Sequence, residues 1–235
     1  MKNLKVWLAF LPLLAVACTS ESASEATTSH LKTSAKTTTI GPANPANPFD
    51  LAGSIHNEIL ESLDGMDFNP QSAADVANAV DSISSLYPEL VTLGGNSSLA
   101  ARLDEINLLV SCEDPLEQVF TASSLEASAR DSFSTFVSSL LLSADSPYED
   151  IRTSIVSYEA FVLDSSEFTS EDKRIILTTT SVVRYSASRK KRKDKDWETS
   201  VTSIAATVLG AEECLALGLK MGVTVGLCQN ENVSQ

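Results

Sequence analysis

The stretch NPFDLAGSIHNEILESLD (47–64) decides how the chain is read. At about 100° per residue, Phe49, Ala52, His56, Ile59, Leu60 and Leu63 fall on one side of a helix. His56 lies at the centre of that apolar face, and Asp50, Asn57 and Glu61 lie together at its edge. Gly53 sits one turn below His56. Glycine inside a helix costs about 1 kcal/mol relative to alanine, so its presence predicts close approach by another backbone or ring. A histidine so placed reads as a buried, neutral, structural residue. The competing reading is a partner or structural site formed by Asp50, Gly53, His56 and Asn57.

Helical spacing continues outward from this segment. It predicts helices over 48–64, 70–87, 97–111, 147–163, 171–188 and 197–227, with one or two more within 115–143. Asn47-Pro48, Asn69-Pro70 and Ser146-Pro147 each offer a capping side chain followed by proline, and Glu149 completes a capping box. Only Val223-Thr224-Val225 hints at alternation. The expected fold class is all-α: a single bundle of about six to eight helices over 47–230, with a disordered tail at 231–235.

Asn47, Pro48, Phe49, Asp50, Gly53, His56, Asn57 and Leu60 also form a recognisable spacing. It resembles the start of the folded part of uncharacterised lipoproteins and secreted proteins of Bacteroidota. The likeness covers about 14 residues and the general layout. It implies the lipoprotein arrangement and carries no activity with it.

MKNLKVWLAFLPLLAVAC (1–18) has that arrangement. Lys2 and Lys5 precede an apolar run, Val6 to Ala17, too short for a span of roughly 20 residues and suited to an export signal. Leu14-Ala15-Val16-Ala17-Cys18 resembles a lipobox, with Ala15 where leucine is usual. The resemblance implies cleavage after residue 17 and acylation of Cys18, including a palmitate-type chain. More than one acyl chain makes anchoring stable. Residues 18–46 are rich in Ser, Thr and Ala and cannot bury enough surface to offset ordering entropy. They read as a flexible tether, with His30 a bystander. The expected location is the cell envelope, at the outer membrane of a Gram-negative bacterium.

The chain carries 17 basic and 31 acidic side chains, a net charge of −14. Such a field excludes nucleic acid as a partner sought through global charge. The basic side chains cluster in ASRKKRKDKDWE (187–198), read as a solvated connection at a helix C-terminus or a contact for lipid phosphates. Trp197 reads as an anchor for the last helix. No glycine-rich phosphate loop, nucleophile elbow or paired metal motif appears, so no catalytic residue, metal or cofactor is expected. His56 has no second histidine in the folded part to share zinc.

Along 197–227, small residues recur every fourth position: Ala206, Gly210, Cys214, Gly218, Gly222 and Gly226. Such a stripe lets helices approach closely, within a bundle or within a membrane. Glu212, Glu213 and Lys220 interrupt the apolar run and make it a poor span. Cys214 and Cys228 would lie about 21 Å apart on one straight helix, too far to bridge. Either Cys112 pairs with one of them or the glycine-rich end turns back.

The leading expectation is a lipid-anchored envelope protein with a non-enzymatic binding or structural role, attached through its acyl chains and open to an unknown protein partner. The alternative is a membrane-active or toxin-like protein acting through 197–228.

Overall fold

The computed structural model describes residues 41–94, 97–193 and 199–230. The signal segment, Cys18, His30, the tether up to residue 40, Lys195, Trp197 and the 231–235 tail lie outside the described residues. Ten α-helices and one 3-10 turn make up the rest, and no strand occurs among the described residues. The helices are α1 (Asp50–Asp64), α2 (Ala73–Ser84), α3 (Glu89–Thr92), α4 (Leu103–Ser111), α5 (Pro115–Ala122) and α6 (Ala127–Leu142). They continue with α7 (Tyr148–Asp164), α8 (Ser170–Lys193), α9 (Thr199–Glu213) and α10 (Leu215–Asn230). The all-α class is as read from periodicity; the number of helices is larger.

Two additions account for the difference, the short α3 past the end expected at residue 87 and a break in the last helix, whereas two helices in 115–143 lie within the one or two expected. The segment expected at 97–111 opens as a 3-10 turn, Leu99–Arg102, before α4. The segment 115–143 divides into α5 and α6. The long last helix is two: it breaks at Cys214, and α10 folds back on α9. This break has named partners. Arg174 of α8 donates from Nη1 to Ala211 O at 2.5 Å and from Nη2 to Glu212 O at 3.1 Å, satisfying end carbonyls of α9. Leu93 O accepts the Ala216 N–H at 3.1 Å, at the start of α10. Gly94, at φ 113°, lies against Cys214; a Cβ there would come within 2.7 Å of the Cys214 Cβ.

Caps also move. Asn47 Oδ1 accepts the Phe49 N–H at 2.8 Å in the turn before the helix, but it does not cap α1, which starts at Asp50 with Phe49 at its N-cap and no side-chain cap. Asn69 does not cap α2; Ser72 does, accepting from Asp75 N. Ser146 forms no cap on α7, whose N-cap is Pro147, and the Ser146 N–H that Glu149 would take in a capping box donates to Ser143 O instead. A reciprocal pair not expected from sequence starts α8: Thr169 Oγ1 accepts from Asp172 N at 3.1 Å and Asp172 Oδ2 from Thr169 N at 2.8 Å.

Two helices lie at the centre. α8 packs against α1, α7, α9 and α10, and α10 packs against α9, α2, α1, α8 and α4. Residues 175–184 of α8 and 214–225, spanning the break and most of α10, are buried without interruption. A helix buried all round belongs in the core. In α8 this burial takes in Thr178, Thr179, Thr180 and Ser181. Thr179 donates back to Ile175 O and Thr180 to Glu159, which makes burial tolerable.

Candidate functional site

Two places answer to the description of a site. The first is the motif at 47–57. Asn47 donates from Nδ2 to Glu159 Oε1 at 2.8 Å and to Leu177 O at 2.9 Å. Asp50 Oδ1 accepts from Arg184 at 2.6 Å, and Oδ2 accepts the Tyr185 hydroxyl at 3.1 Å. Arg184 also meets Glu159 at 3.1 Å, and both side chains are fully buried. Glu159 further accepts from Asn44 Nδ2 at 2.6 Å and from Thr180 Oγ1 at 3.0 Å. Gly53 lets α1 touch α8: its N–H donates to Ser181 Oγ at 3.0 Å, and a Cβ there would lie 2.5 Å from Ser181 O and from Tyr185 Cδ2. Asn57 donates to Tyr185 O at 3.0 Å. Its Oδ1 is 3.3 Å from Nδ1 of His56, which is 2% exposed. Since Asn57 uses its amide group on Tyr185, the His56 Nδ1 carries the proton in that contact.

The motif therefore joins α1 to α7 and α8. Most of its polar atoms meet other protein groups; Arg184 Nε is buried without a partner among the described residues, and the Asp50 side chain is partly exposed. Burial, with the Asp50 charge and hydrogen bond behind it, pushes the Tyr185 hydroxyl up to about 12. The network also holds residues expected to belong to the tether. Arg152 donates to Gly41 O at 2.9 Å and Ala43 O at 2.8 Å, and Arg184 donates to Pro42 O. Ordered chain thus begins at least as early as Gly41, six residues before the expected start of the domain. Gly-Pro-Ala-Asn-Pro-Ala looks featureless because its main-chain carbonyls, rather than its side chains, make most of the bonds.

The glycine stripe is turned inward. A Cβ at Gly210 would lie 2.8 Å from Leu217 C and O, and one at Gly218 would lie 3.0 Å from Ala211 N and Thr207 O. Gly222 faces Thr207, and Gly226 faces Ser203 less tightly, at 3.5 Å. The stripe is the seam of the α9–α10 hairpin. Among the described residues no helix is long and apolar enough to cross a membrane. Arg189, first of the basic cluster, donates to Leu60 O and pairs with Asp64. α8 runs on to Lys193, so most of the expected connection is helix. Cys112, Cys214 and Cys228 are free thiols, so of the two alternatives the pairing of Cys112 does not occur. The chain turns back at Cys214, before the glycine-rich end. Among the described residues no three His, Cys, Asp or Glu side chains gather as a metal site.

The second place was missed in the sequence. A groove of about 520 Å³ runs between the C-terminal half of α2, the start of α3, the 97–98 loop and α10. Its polar wall is Asp81, Ser84, Ser98 and Lys220; its apolar wall includes Pro88, Leu90 and Val91. Asp81 ties the wall together. Its Oδ1 accepts from Lys220 at 2.8 Å, and its Oδ2 accepts from Ser98 Oγ at 3.0 Å and Leu99 N at 2.9 Å. Lys220 also donates to Ser97 O. Its side chain is only 7% exposed. Ser84 is buried, and its Oγ has no partner among the described residues. Val91 and neighbouring Leu86 are 63% and 75% exposed. Lys220 was the available signal: a cation inside an otherwise apolar helix needs a carboxylate partner. The sequence does not say that Asp81, 139 positions away, supplies it.

No protein-family model, curated protein or solved structure matches the chain.

Proposed function

We propose that this is a lipid-anchored cell-envelope protein whose helical body binds a partner or ligand and does no chemistry of its own. The observation that carries the reading is Leu14-Ala15-Val16-Ala17-Cys18, followed by a Ser/Thr/Ala-rich segment. The body supports it in two ways. First, the chain is gripped where it joins the helices, by Arg152 on Gly41 and Ala43 and by Arg184 on Pro42. That grip suits a domain held by its N-terminus. Second, the glycine stripe, on which a membrane-active role would depend, is occupied by α9. Binding falls to the exposed surface and the groove, and the outer membrane of a Gram-negative bacterium is the proposed setting.

Mass spectrometry of the mature N-terminus, from protein made in a Gram-negative host, tests the anchor. The expected product starts at an acylated Cys18, and Cys18→Ser abolishes acylation and releases the protein from membranes. An unmodified N-terminus elsewhere, with Cys18→Ser processed as the parent, would overturn the reading. Leakage of liposomes by the intact protein would favour the membrane-active alternative.

A further inference from the structure

We propose that the basic C-terminal end of α8, residues 190–193, docks on the anionic phospholipid surface to which the chain is anchored. The proposal rests on the lipid anchor proposed above and adds how the helical body is held against that surface.

The placement of charge is the first argument. Arg189, Lys190, Lys191, Arg192 and Lys193 are consecutive cations in a chain of net charge −14. Asp194, Lys195, Asp196 and Glu198 follow, so 189–198 stays net positive while the rest of the chain is strongly acidic. A body charged in this way turns its basic pole to an anionic surface and its acidic remainder away. These five cations share one helix end because α8 runs on to Lys193. The helix C-terminus carries only about half a negative charge, so it does not account for five cations. Arg189 is engaged, on Leu60 O and on Asp64. The next four, at about 100° per residue, are spread over most of the helix circumference. They cannot all turn to α1, where Glu61 and Asp64 are the acidic residues of the last turn.

The point where the N-terminal segment meets the helices is the second argument. Pro42 O accepts from Arg184, and Gly41 O and Ala43 O accept from Arg152. Arg184 precedes residues 190–193 by six to nine positions, about 9–14 Å along the helix axis. The segment therefore joins the body beside the basic end of α8. Residues 18–40 reach at most about 80 Å when extended, so Cys18 and that end can meet one surface. Lipid phosphates are what a cluster of Lys and Arg recognises there, and each cation near the surface strengthens binding about fivefold.

The test uses the mature acylated protein, purified from the membranes of a Gram-negative host and reconstituted on vesicles of phosphatidylcholine with or without phosphatidylglycerol. Uncharged N-hydroxysuccinimide acetate labels accessible lysines. Peptide mapping reads Lys190, Lys191 and Lys193 against Lys173, near the start of α8. With phosphatidylglycerol the first three should label about fivefold more slowly or better, and Lys173 should not change. Raising the salt from about 0.01 M to about 1 M shortens the Debye length from about 30 Å to about 3 Å and should abolish the protection. Lys190→Gln with Arg192→Gln keeps good helix formers at both positions and should melt as the parent does. Loss of two cations should weaken docking by about 25-fold, so Lys191 and Lys193 should label as on phosphatidylcholine alone. If that variant does not fold, the salt dependence of the parent decides. Equal labelling on the two vesicles, as a cluster kept for an acidic protein partner would give, overturns the proposal. So does protection that survives high salt, or a folded variant as protected as the parent. Protein that carries an acylated Cys18 and pellets with both vesicles, yet labels equally on them, overturns the docking alone. An unacylated Cys18 overturns the anchor and the docking with it.

Discussion

Asp50 and Arg184, 134 residues apart in sequence, meet at 2.6 Å where α1 crosses α8. Arg184 turns the same nitrogen to Glu159 at 3.1 Å, with Arg184 and Glu159 excluded from water. Two carboxylates on one guanidinium would leave excess negative charge in the core. Asn44, Asn47 and Thr180 offset it by donating to Glu159, and Tyr185 by donating to Asp50. The arrangement fixes where the N-terminal segment, α1, α7 and α8 sit relative to one another.

Removing one member should cost more than removing the set. Arg184→Met leaves Glu159 buried without its cation, a loss of about 3–5 kcal/mol. Glu159→Gln in the same chain removes the uncompensated charge and should recover part of that loss. Urea denaturation of the two single variants and the double variant measures the interaction. Additive losses would show that the pair does not act as a unit.

Two half-buried tyrosines give an alkaline limit. Burial pushes Tyr158 up to about 12, and burial with the Asp50 charge does the same to Tyr185. A raised folded value means that the folded state holds the proton longer than the unfolded chain, whose tyrosines titrate near 10. Their contribution is complete below about pH 10 and is lost as pH rises through about 12. Tyr158→Phe and Tyr185→Phe should each flatten the fall of stability across that window. Thermal melts of parent and variants, compared from pH 9 to 12 in steps, read the difference; parallel curves would contradict it.

Thiol reactivity should follow burial. Cys228 is pushed up to about 11 by burial, and Cys214 is buried at the hairpin break. Cys112 is partly exposed, its thiol 3.0 Å from Gln118 Oε1. At neutral pH iodoacetamide should label Cys112 first and reach Cys214 and Cys228 only after denaturation. Peptide mapping by mass spectrometry separates the three. A disulfide recovered under non-reducing conditions would contradict the free-thiol arrangement.

The helix period was legible because burial follows it: Ala52, Ile59, Leu60 and Leu63 face inward as the wheel requires. The close approach at Gly53 was legible too, since a mid-helix glycine has few other uses. The break at Cys214 was not. It depends on Arg174 and Leu93, which reach it from other elements, and nothing in Glu212-Glu213-Cys214-Leu215 favours a turn. The partners of Asp50 were hidden for the same reason. A charged residue in the motif suggested a site; Arg184 in α8 turned it into a structural joint. The groove left least trace, because its polar wall joins Asp81, Ser84 and Ser98 to Lys220, more than a hundred residues further on.

Substitutions at three glycines give the most direct test of the packing. Alanine in place of glycine stabilises an open helix by about 0.4–1 kcal/mol, and overpacking costs about 1–3 kcal/mol, so the sign of the change reports the space. Gly41 has nothing within 4 Å of the position a Cβ would take, and Gly41→Ala should leave the melting temperature near the parent value. At Gly53 the nearest atoms are a main-chain oxygen and a tyrosine ring, neither of which yields easily. Gly53→Ala should therefore push α1 from α8, strain the Asp50–Arg184 contact and lower stability clearly. Gly222 is the intermediate case: its nearest neighbour is the Thr207 hydroxyl, which can rotate, with Ser203 O next at 3.6 Å. Gly222→Ala should cost less than Gly53→Ala, whereas Gly222→Leu must separate α9 from α10 and should cost more than Gly222→Ala. Calorimetric melts of the four variants give the order. Unchanged or raised stability for both Gly222→Ala and Gly222→Leu would mean that the stripe is not the seam of the hairpin.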